Sequence, residues 1–392
     1  MFAEELDKIQ QAIRDEKLDG WLFCNFHHRD KLSDELLFID PHTVNSRLWL
    51  YAVPAEGEPL KLVHAIEEGA LDALPGKRQS YISREELKNA LKPLAKKRWG
   101  VHSSPALTAI SYLDAGTAAV FEEAGLILVS AAALIQRFKG LLDGEAIISH
   151  EKAAGHLYEI VETAWDRVNA AYFGKEPLRE GDLRALIQEE MAKRNLITDH
   201  PPIVAAGVNT GDPHYDFSGS GAPILEGDVI QFDLWAKDAG EGAVYGDISW
   251  VGVFAERAAP RVERAFADLI SAREGAYQFI ERELREGRRP SGAMADQEAR
   301  KILSGLGYAS AIRHRTGHGI DTECHGSGAN IDSVEFPDFR LLLDGSCFSL
   351  EPGIYFSDFG LRTEIDVYIL RGKPVISGKD RQFQLLLCQT KP

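Results

Sequence analysis

Apolar and polar positions along this chain fall into two regimes. In the first, Leu6, Ile9 and Ile13 recur at helical spacing and lead into the strand-like run GWLFCNF at 20–26. Short apolar runs follow at 48–53 (LWLYAV) and 60–66 (LKLVHAI), separated by Gly, Pro and charge. The pattern predicts helices near 84–98 and 105–124, a buried strand LILVS at 126–130, and a helix from Ala131 to Phe138. Alternating strands and helices over about 130 residues predict a compact α/β domain. The Gly-containing break KGLLDGE then sets the expected boundary, with one domain at 1–138 and another at 139–392.

The second regime comes in blocks. A long helix is predicted from Glu145 to Phe173 and another from Gly181 to Asn195. Strand patterns take over in GDVIQFDLWA and AVYGDISWVGVF, a helical pair follows at 260–286 and 292–305, and strands CFSLE, LRTEIDVYIL and PVISG close the pattern. Blocks of helix and strand point to α+β rather than a doubly wound sheet. Leu225–Asp233 (LEGDVIQFD) is echoed by Leu343–Glu351 (LDGSCFSLE): a turn with an acidic residue and Gly, a strand, then a carboxylate at the same offset. A second carboxylate follows each, Asp247 in one copy and Glu364 in the other, so two strand pairs are expected to deliver two carboxylates each to one place.

Composition narrows the function classes. The 392 residues carry 60 acidic against 44 basic side chains, a net charge of −16, which argues against a nucleic-acid partner because phosphate binding needs basic clusters. The longest apolar run, Leu126–Ile135, is about half of what a membrane span needs. With no apolar leader pattern in MFAEELDKIQ, the expected setting is cytoplasmic, without a membrane partner. The four cysteines form no CxxC pair and read as reduced, buried thiols.

Chemistry concentrates on a few strands and one Gly-rich segment. Period-2 alternation puts Gln231, Asp233 and Trp235 on one face, Tyr245, Asp247 and Ser249 on another, and Arg362, Glu364 and Asp366 on a third. Two readings stand for such carboxylates: a solvated sheet face, or buried groups that must be paired or bind metal. RHRTGHGIDTECHG holds His314, His318 and His325 among three glycines, which rules out a zinc-binding helix and favours a strand or loop passing a site. NTGDPHYDFSGSG presents His214 on a turn-rich loop.

These residues resemble the pita-bread metallopeptidase family, which includes methionine aminopeptidase, prolidase and aminopeptidase P. The family's five ligands, Asp, Asp, His, Glu and Glu in that order, fall on Asp233 (QFDLW), Asp247 (YGDIS), His318 (TGHGI), Glu351 (SLEPGIY) and Glu364 (LRTEID). The resemblance covers roughly 135–375 and implies a C-terminal pita-bread fold preceded by a smaller creatinase-like α/β domain. It implies two divalent metal ions, with an oxygen-rich donor set suiting Mn²⁺ over Co²⁺ or Zn²⁺. Asp247 and Glu364 would bridge them, His318 and Glu351 would complete one shell, and Asp233 would bind the other ion. Paired ions lower the pKa of bound water and make a nucleophile. Glu351 would shuttle its proton, His214 and His325 would stabilise the tetrahedral intermediate, and Tyr355 and Arg362 would orient the carboxylates and substrate.

EPGIY with Tyr355, RTE with Arg362, and the N-terminal domain resemble prolidase and aminopeptidase P more than methionine aminopeptidase. The implied activity is hydrolysis of the Xaa-Pro bond in dipeptides, with aminopeptidase P the alternative. A metal-dependent non-peptidase and an inactive binding protein of the same fold are further alternatives. A homodimer is implied too, and HHRD at 27–30 with Arg47 is a candidate cap for the site. Three positions depart from the family pattern: HGIG reads HGID with Asp321, HE reads His325-Gly326, and the segment where many prolidases carry an Arg reads GSGAN.

Overall fold

The computed structural model describes residues 2–378 and 381–389 and divides the chain into two compact units, 1–139 and 140–392. In the first, the elements run α1 (Phe2–Asp15), β1 (Gly20–Asn25), α2 (Lys31–Leu36), β2 (Trp49–Pro54), β3 (Leu60–His64), β4 (Lys77–Tyr81), α3 (Arg84–Leu91), β5 (Arg98–Val101), α4 (Ala115–Glu123), β6 (Ile127–Ser130) and α5 (Ala132–Phe138). The strands form one mixed sheet in the order β4-β3-β2-β1-β5-β6. Both faces are covered, so β1 is apolar from Trp21 to Cys24: Trp21 and Phe23 pack with Ile9, Ile13, Leu134 and Ile135, while Leu22 and Cys24 pack with Leu87, Leu91 and Phe121.

Three local expectations are corrected in this unit. LILVS is buried only at Leu126: β6 pairs only with β5 at the sheet edge, and Ile127 is 49 % exposed. The helix expected over 84–98 ends at Leu91, passes through a 3₁₀ turn at Lys92–Leu94 that contains Pro93, and gives way to β5. The helix expected over 105–124 is confined to α4, whose start is set by Asp114 accepting from the Thr117 amide at 3.0 Å. Strand β4 (KRQSY) carries no apolar alternation because four of its five residues face solvent, so periodicity could not reveal it.

The second unit runs α6 (Gly144–Gly174), α7 (Glu180–Lys193), β7 (Leu196–Ile197), β8 (Ile203–Ala206), β9 (Val229–Asp238), β10 (Gly246–Val253), α8 (Pro260–Arg285), α9 (Gly292–Gly305), β11 (Cys347–Leu350), β12 (Gly353–Tyr355), β13 (Gly360–Arg362), β14 (Ile365–Leu370), β15 (Lys373–Ile376) and β16 (Leu386–Leu387). Strands β9 and β10 pair antiparallel, as do β11 and β14. Ile230, Phe232, Leu234 and Ile248 pack against α6 and α7, and a second core joins Val251 and Val253 to α8, α9 and β11–β14. The long strand expected over LRTEIDVYIL is two: β13 pairs with β12, β14 pairs with β11, and Thr363-Glu364 turns between them. Arg362, Glu364 and Asp366 therefore do not line one strand.

The internal echo is a repeated structure. Gly227 and Gly345 both adopt positive φ, 91° and 89°. Asp228 and Ser346 cap their own turns alike, accepting from the Leu225 and Leu343 amides at 2.8 and 2.9 Å. The Gly227 amide donates to Phe254 O just past β10, and the Gly345 amide to Ile369 O in β14. The same turn thus launches two strand pairs, and each pair brings its carboxylates inward. Among the described residues, no helix is long and apolar enough to cross a membrane.

Candidate metal centre

Asp233 and Ser249 face each other across the β9–β10 ladder, with Asp247 two residues earlier on the same face of β10. Ser249 Oγ lies 2.8 Å from Asp233 Oδ1 and 3.0 Å from Glu364 Oε2, and accepts from Arg362 Nε at 3.2 Å. Its single proton serves one carboxylate at a time. Backbone bonds stitch the two strand pairs together: the Glu364 amide donates to Ser249 O, and the Asp247 amide to Asp366 Oδ2 at 2.7 Å.

His318 enters on a segment that closes on its neighbours through glycine. A Cβ on Gly317 would lie 2.0 Å from Ser349 O, so only Gly permits this approach. His318 Nε2 comes 3.4 Å from Asp247 Oδ2 and 3.5 Å from Glu351 Oε1. Glu351 follows β11 directly, its amide bonded to Thr316 O.

The five residues aligned with the family ligands meet in one buried place. His318, Glu351 and Glu364 offer donor atoms within 4.8 Å of one another, and so do Asp233, Asp247 and Glu364. Asp247 and Glu364 are 4 % and 2 % exposed, yet Asp247 Oδ1 and Glu364 Oε1 have no hydrogen-bond partner among the described residues. Burial first, and then the neighbouring carboxylates, raise both groups well above the usual carboxylate range. Burial lowers His318, leaving a neutral imidazole. Orphaned, buried carboxylate oxygens beside a neutral imidazole are a donor set that fits divalent cations. The solvated-face reading is excluded for Asp233, Asp247 and Glu364.

The remaining candidates surround this cluster. Arg362 Nη2 pairs with Asp233 Oδ2, while Nη1 donates to Pro213 O at 3.0 Å and to Tyr355 Oη at 3.2 Å. Tyr355 Oη passes its own proton to His314 Nε2 at 2.7 Å, and His314 Nδ1 faces Arg315 O, so one tautomer satisfies the whole chain. The His325 ring stands 4.3 Å from the His318 ring; that neighbour, then burial, pushes it down to about 3. His214 sits exposed on the loop whose Pro213 carbonyl Arg362 holds. HHRD is used within the N-terminal unit: His28 bridges Asp34 Oδ2 and Thr43 O, Arg29 reaches Asp114, and buried Asp30 pairs with His102. Arg47 is exposed, bonded to its neighbour Ser46.

Sequence reasoning placed Asp366 on a carboxylate face and noted Asp321 as a departure without giving either a role, and it read Cys324 only as a buried thiol. Cys324 Sγ donates to Asp247 Oδ2 at 3.0 Å, and Asp366 carries the amide of Asp247. Asp321 shapes the following loop: its carboxylate accepts from the Glu323 and Ser327 amides at 2.9 and 2.7 Å. In the GSGAN segment, Arg340 donates to the Ser327 and Gly328 carbonyls at 2.7 and 2.6 Å while pairing with Asp338.

Two strand pairs related by a repeated turn, helices packed against them and a buried carboxylate–histidine centre define a pita-bread fold preceded by an N-terminal α/β unit. The chain belongs to metallopeptidase family M24, whose sequence profile matches residues 151–371. Over 244 residues it is 27 % identical to an Xaa-Pro dipeptidase of Lactobacillus delbrueckii subsp. lactis, an alignment covering 58 % of this chain and 59 % of that protein. The crystal structure of dipeptidase PepE from Mycobacterium ulcerans superposes with a TM-score of 0.71 at 21 % identity, covering 99 % of this chain and 98 % of that one. A recombinant prolidase from Thermococcus sibiricus superposes at 0.64 and 22 % identity, covering 99 % of each chain.

Proposed function

We propose that this chain is a dinuclear Xaa-Pro dipeptidase, with Asp233, Asp247, His318, Glu351 and Glu364 holding two divalent cations. The observation carrying this reading is the convergence of these five side chains, with buried oxygens on Asp247 and Glu364 that have no partner among the described residues. Four carboxylates and one imidazole favour Mn²⁺. When bound, the cations supply Lewis-acid polarisation of the scissile carbonyl and a water nucleophile near neutral pH.

The protein's own groups do the rest. Glu351 takes a proton at a carboxylate oxygen and returns it to the proline nitrogen as that leaves. His325 and His214 donate to the oxygen on which negative charge develops. Arg362, held by Asp233, Ser249 and Tyr355, fixes the carboxylate geometry and anchors the His214 loop. Arg340 is occupied by its own segment, so we assign the dipeptide carboxylate to Arg315. Its guanidinium has no ion-pair partner among the described residues, and its charge reaches both His318 and His325. The likeness to an Xaa-Pro dipeptidase of Lactobacillus delbrueckii subsp. lactis and to dipeptidase PepE supports the dipeptidase over the aminopeptidase P reading.

The test is hydrolysis of Ala-Pro beside Ala-Pro-Ala by metal-stripped enzyme re-supplied with Mn²⁺. Ala-Pro is expected to be the better substrate, with activity lost on stripping. Arg315→Ala should raise KM for Ala-Pro about tenfold with kcat little changed, as loss of one charged binding contact does. Preference for the tripeptide would replace the dipeptidase reading, and no cleavage of either with two metals bound would remove the peptidase assignment.

A further inference from the structure

Cys324 is the residue of the centre that the family pattern does not explain. A buried thiol is ordinarily a small hydrophobe. Here the sulfur, on a residue 5 % exposed, meets a carboxylate oxygen: Sγ lies 3.0 Å from Asp247 Oδ2, itself 3.4 Å from His318 Nε2. The three donor atoms lie within 4.8 Å of one another. Tetrahedral donors at bond lengths of about 2.0–2.3 Å stand about 3.3–3.8 Å apart, a spacing this group approaches before any adjustment. Asp247 also carries a second buried oxygen, Oδ1, with no hydrogen-bond partner among the described residues.

The loop that presents the thiol is tied down at several points. The Asp321 carboxylate takes the Glu323 and Ser327 amides, the Tyr245 amide donates to Asp321 O at 3.1 Å, and Lys237 Nζ donates to Thr322 O at 2.6 Å. These bonds fix Cys324 between residues that are themselves fixed, leaving its sulfur directed at Asp247.

We propose that Cys324 is a sulfur ligand to one of the two cations, sharing that ion with His318 and Asp247. This rests on the dinuclear reading above. On binding, the S–H bond is replaced by a sulfur–metal bond and the proton leaves to solvent. The consequence is an asymmetric centre: the ion beside Asp233 keeps a hard oxygen shell, while the ion beside His318 gains a soft donor. Its preference shifts from Mn²⁺ towards Co²⁺ or Zn²⁺.

Titrating the metal-stripped full-length protein with Co²⁺ tests this by absorption, independently of activity. Two Co²⁺ per chain and a near-ultraviolet sulfur-to-cobalt charge-transfer band are expected. Cys324→Ser and Cys324→Ala should abolish the band and weaken Co²⁺ binding about tenfold or more, while Cys347→Ser retains it. X-ray absorption of the Zn²⁺-loaded wild type should show a sulfur neighbour at about 2.3 Å, a readout that needs no variant to fold. Two Co²⁺ bound without the band, or a band that survives in Cys324→Ser, overturns the sulfur ligand and leaves the dinuclear centre standing. A wild-type protein that binds no Co²⁺ overturns both.

Discussion

Gly326 and Asp321 compete for one space: a Cβ built on Gly326 would lie 2.6 Å from the Asp321 carboxyl carbon and 2.8 Å from its amide nitrogen. The two departures HGID and His325-Gly326 are therefore one. The carboxylate that organises the loop occupies the volume into which a side chain at 326 would extend. Gly326→Ala should destabilise the protein by about 1–3 kcal/mol, as overpacking does. In an Asp321→Gly background the same substitution should cost less, giving a coupling of about 1 kcal/mol in a urea-denaturation double-mutant cycle. Equal costs in both backgrounds would separate the two positions.

Among the described residues, Ser249 is the one hydroxyl within hydrogen-bonding reach of Asp233, Glu364 and Arg362 together. Ser249→Ala leaves the carboxylates in place and removes the group that orients them. Metal affinity should fall about 10–100-fold, the range seen when the partners of ligands are removed. Competition against a chelating dye measures this, and circular dichroism should show the fold intact.

Glu180 is fully buried at the start of α7 and accepts from the Ala206 and Ala222 amides, Asn209 Nδ2 and Tyr215 Oη, so it holds both ends of the loop carrying His214. Glu180→Ala should strand these donors and cost about 3 kcal/mol or more. Hydrogen exchange over 206–222 should rise more than in α8 or α9. Uniform acceleration would mean that the residue supports the whole unit rather than the loop.

His314 gives a pH dependence of defined sign. Burial and the nearby Arg362 charge push it down from 6.5 to about 4. Between those values the unfolded chain binds a proton that the folded chain does not, so this group's contribution is complete above pH 6.5 and is lost as pH falls towards 4. The full difference is about 3 kcal/mol. His314→Gln keeps a donor for Arg315 O and an acceptor for Tyr355 without titrating. The stability gap between wild type and variant should therefore move against the wild type as pH drops from 7 to 5, and a constant gap in thermal melts would refute the assignment.

The sequence alone named five of the side chains that meet in the centre, and their order along the chain. Asp233, Asp247, His318 and Glu351 stand in local contexts that can be read from adjacent residues, and so does the repeated turn at Gly227 and Gly345. The helices α6 to α9 were equally legible, because a helix buries one stripe and its periodicity is local. Tertiary structure decided whether the carboxylate faces were wet or dry. Alternation states which side chains share a face of β9 or β10, not what covers that face, and the covering comes from elements far along the chain. It also decided the break at Thr363-Glu364, where one apolar run serves two different partner strands. Cys324 and Asp247 are 77 residues apart, and Ser249 and Glu364 are 115 apart. No local pattern encodes a contact that exists only once two strand pairs and a Gly-rich loop have packed against one another.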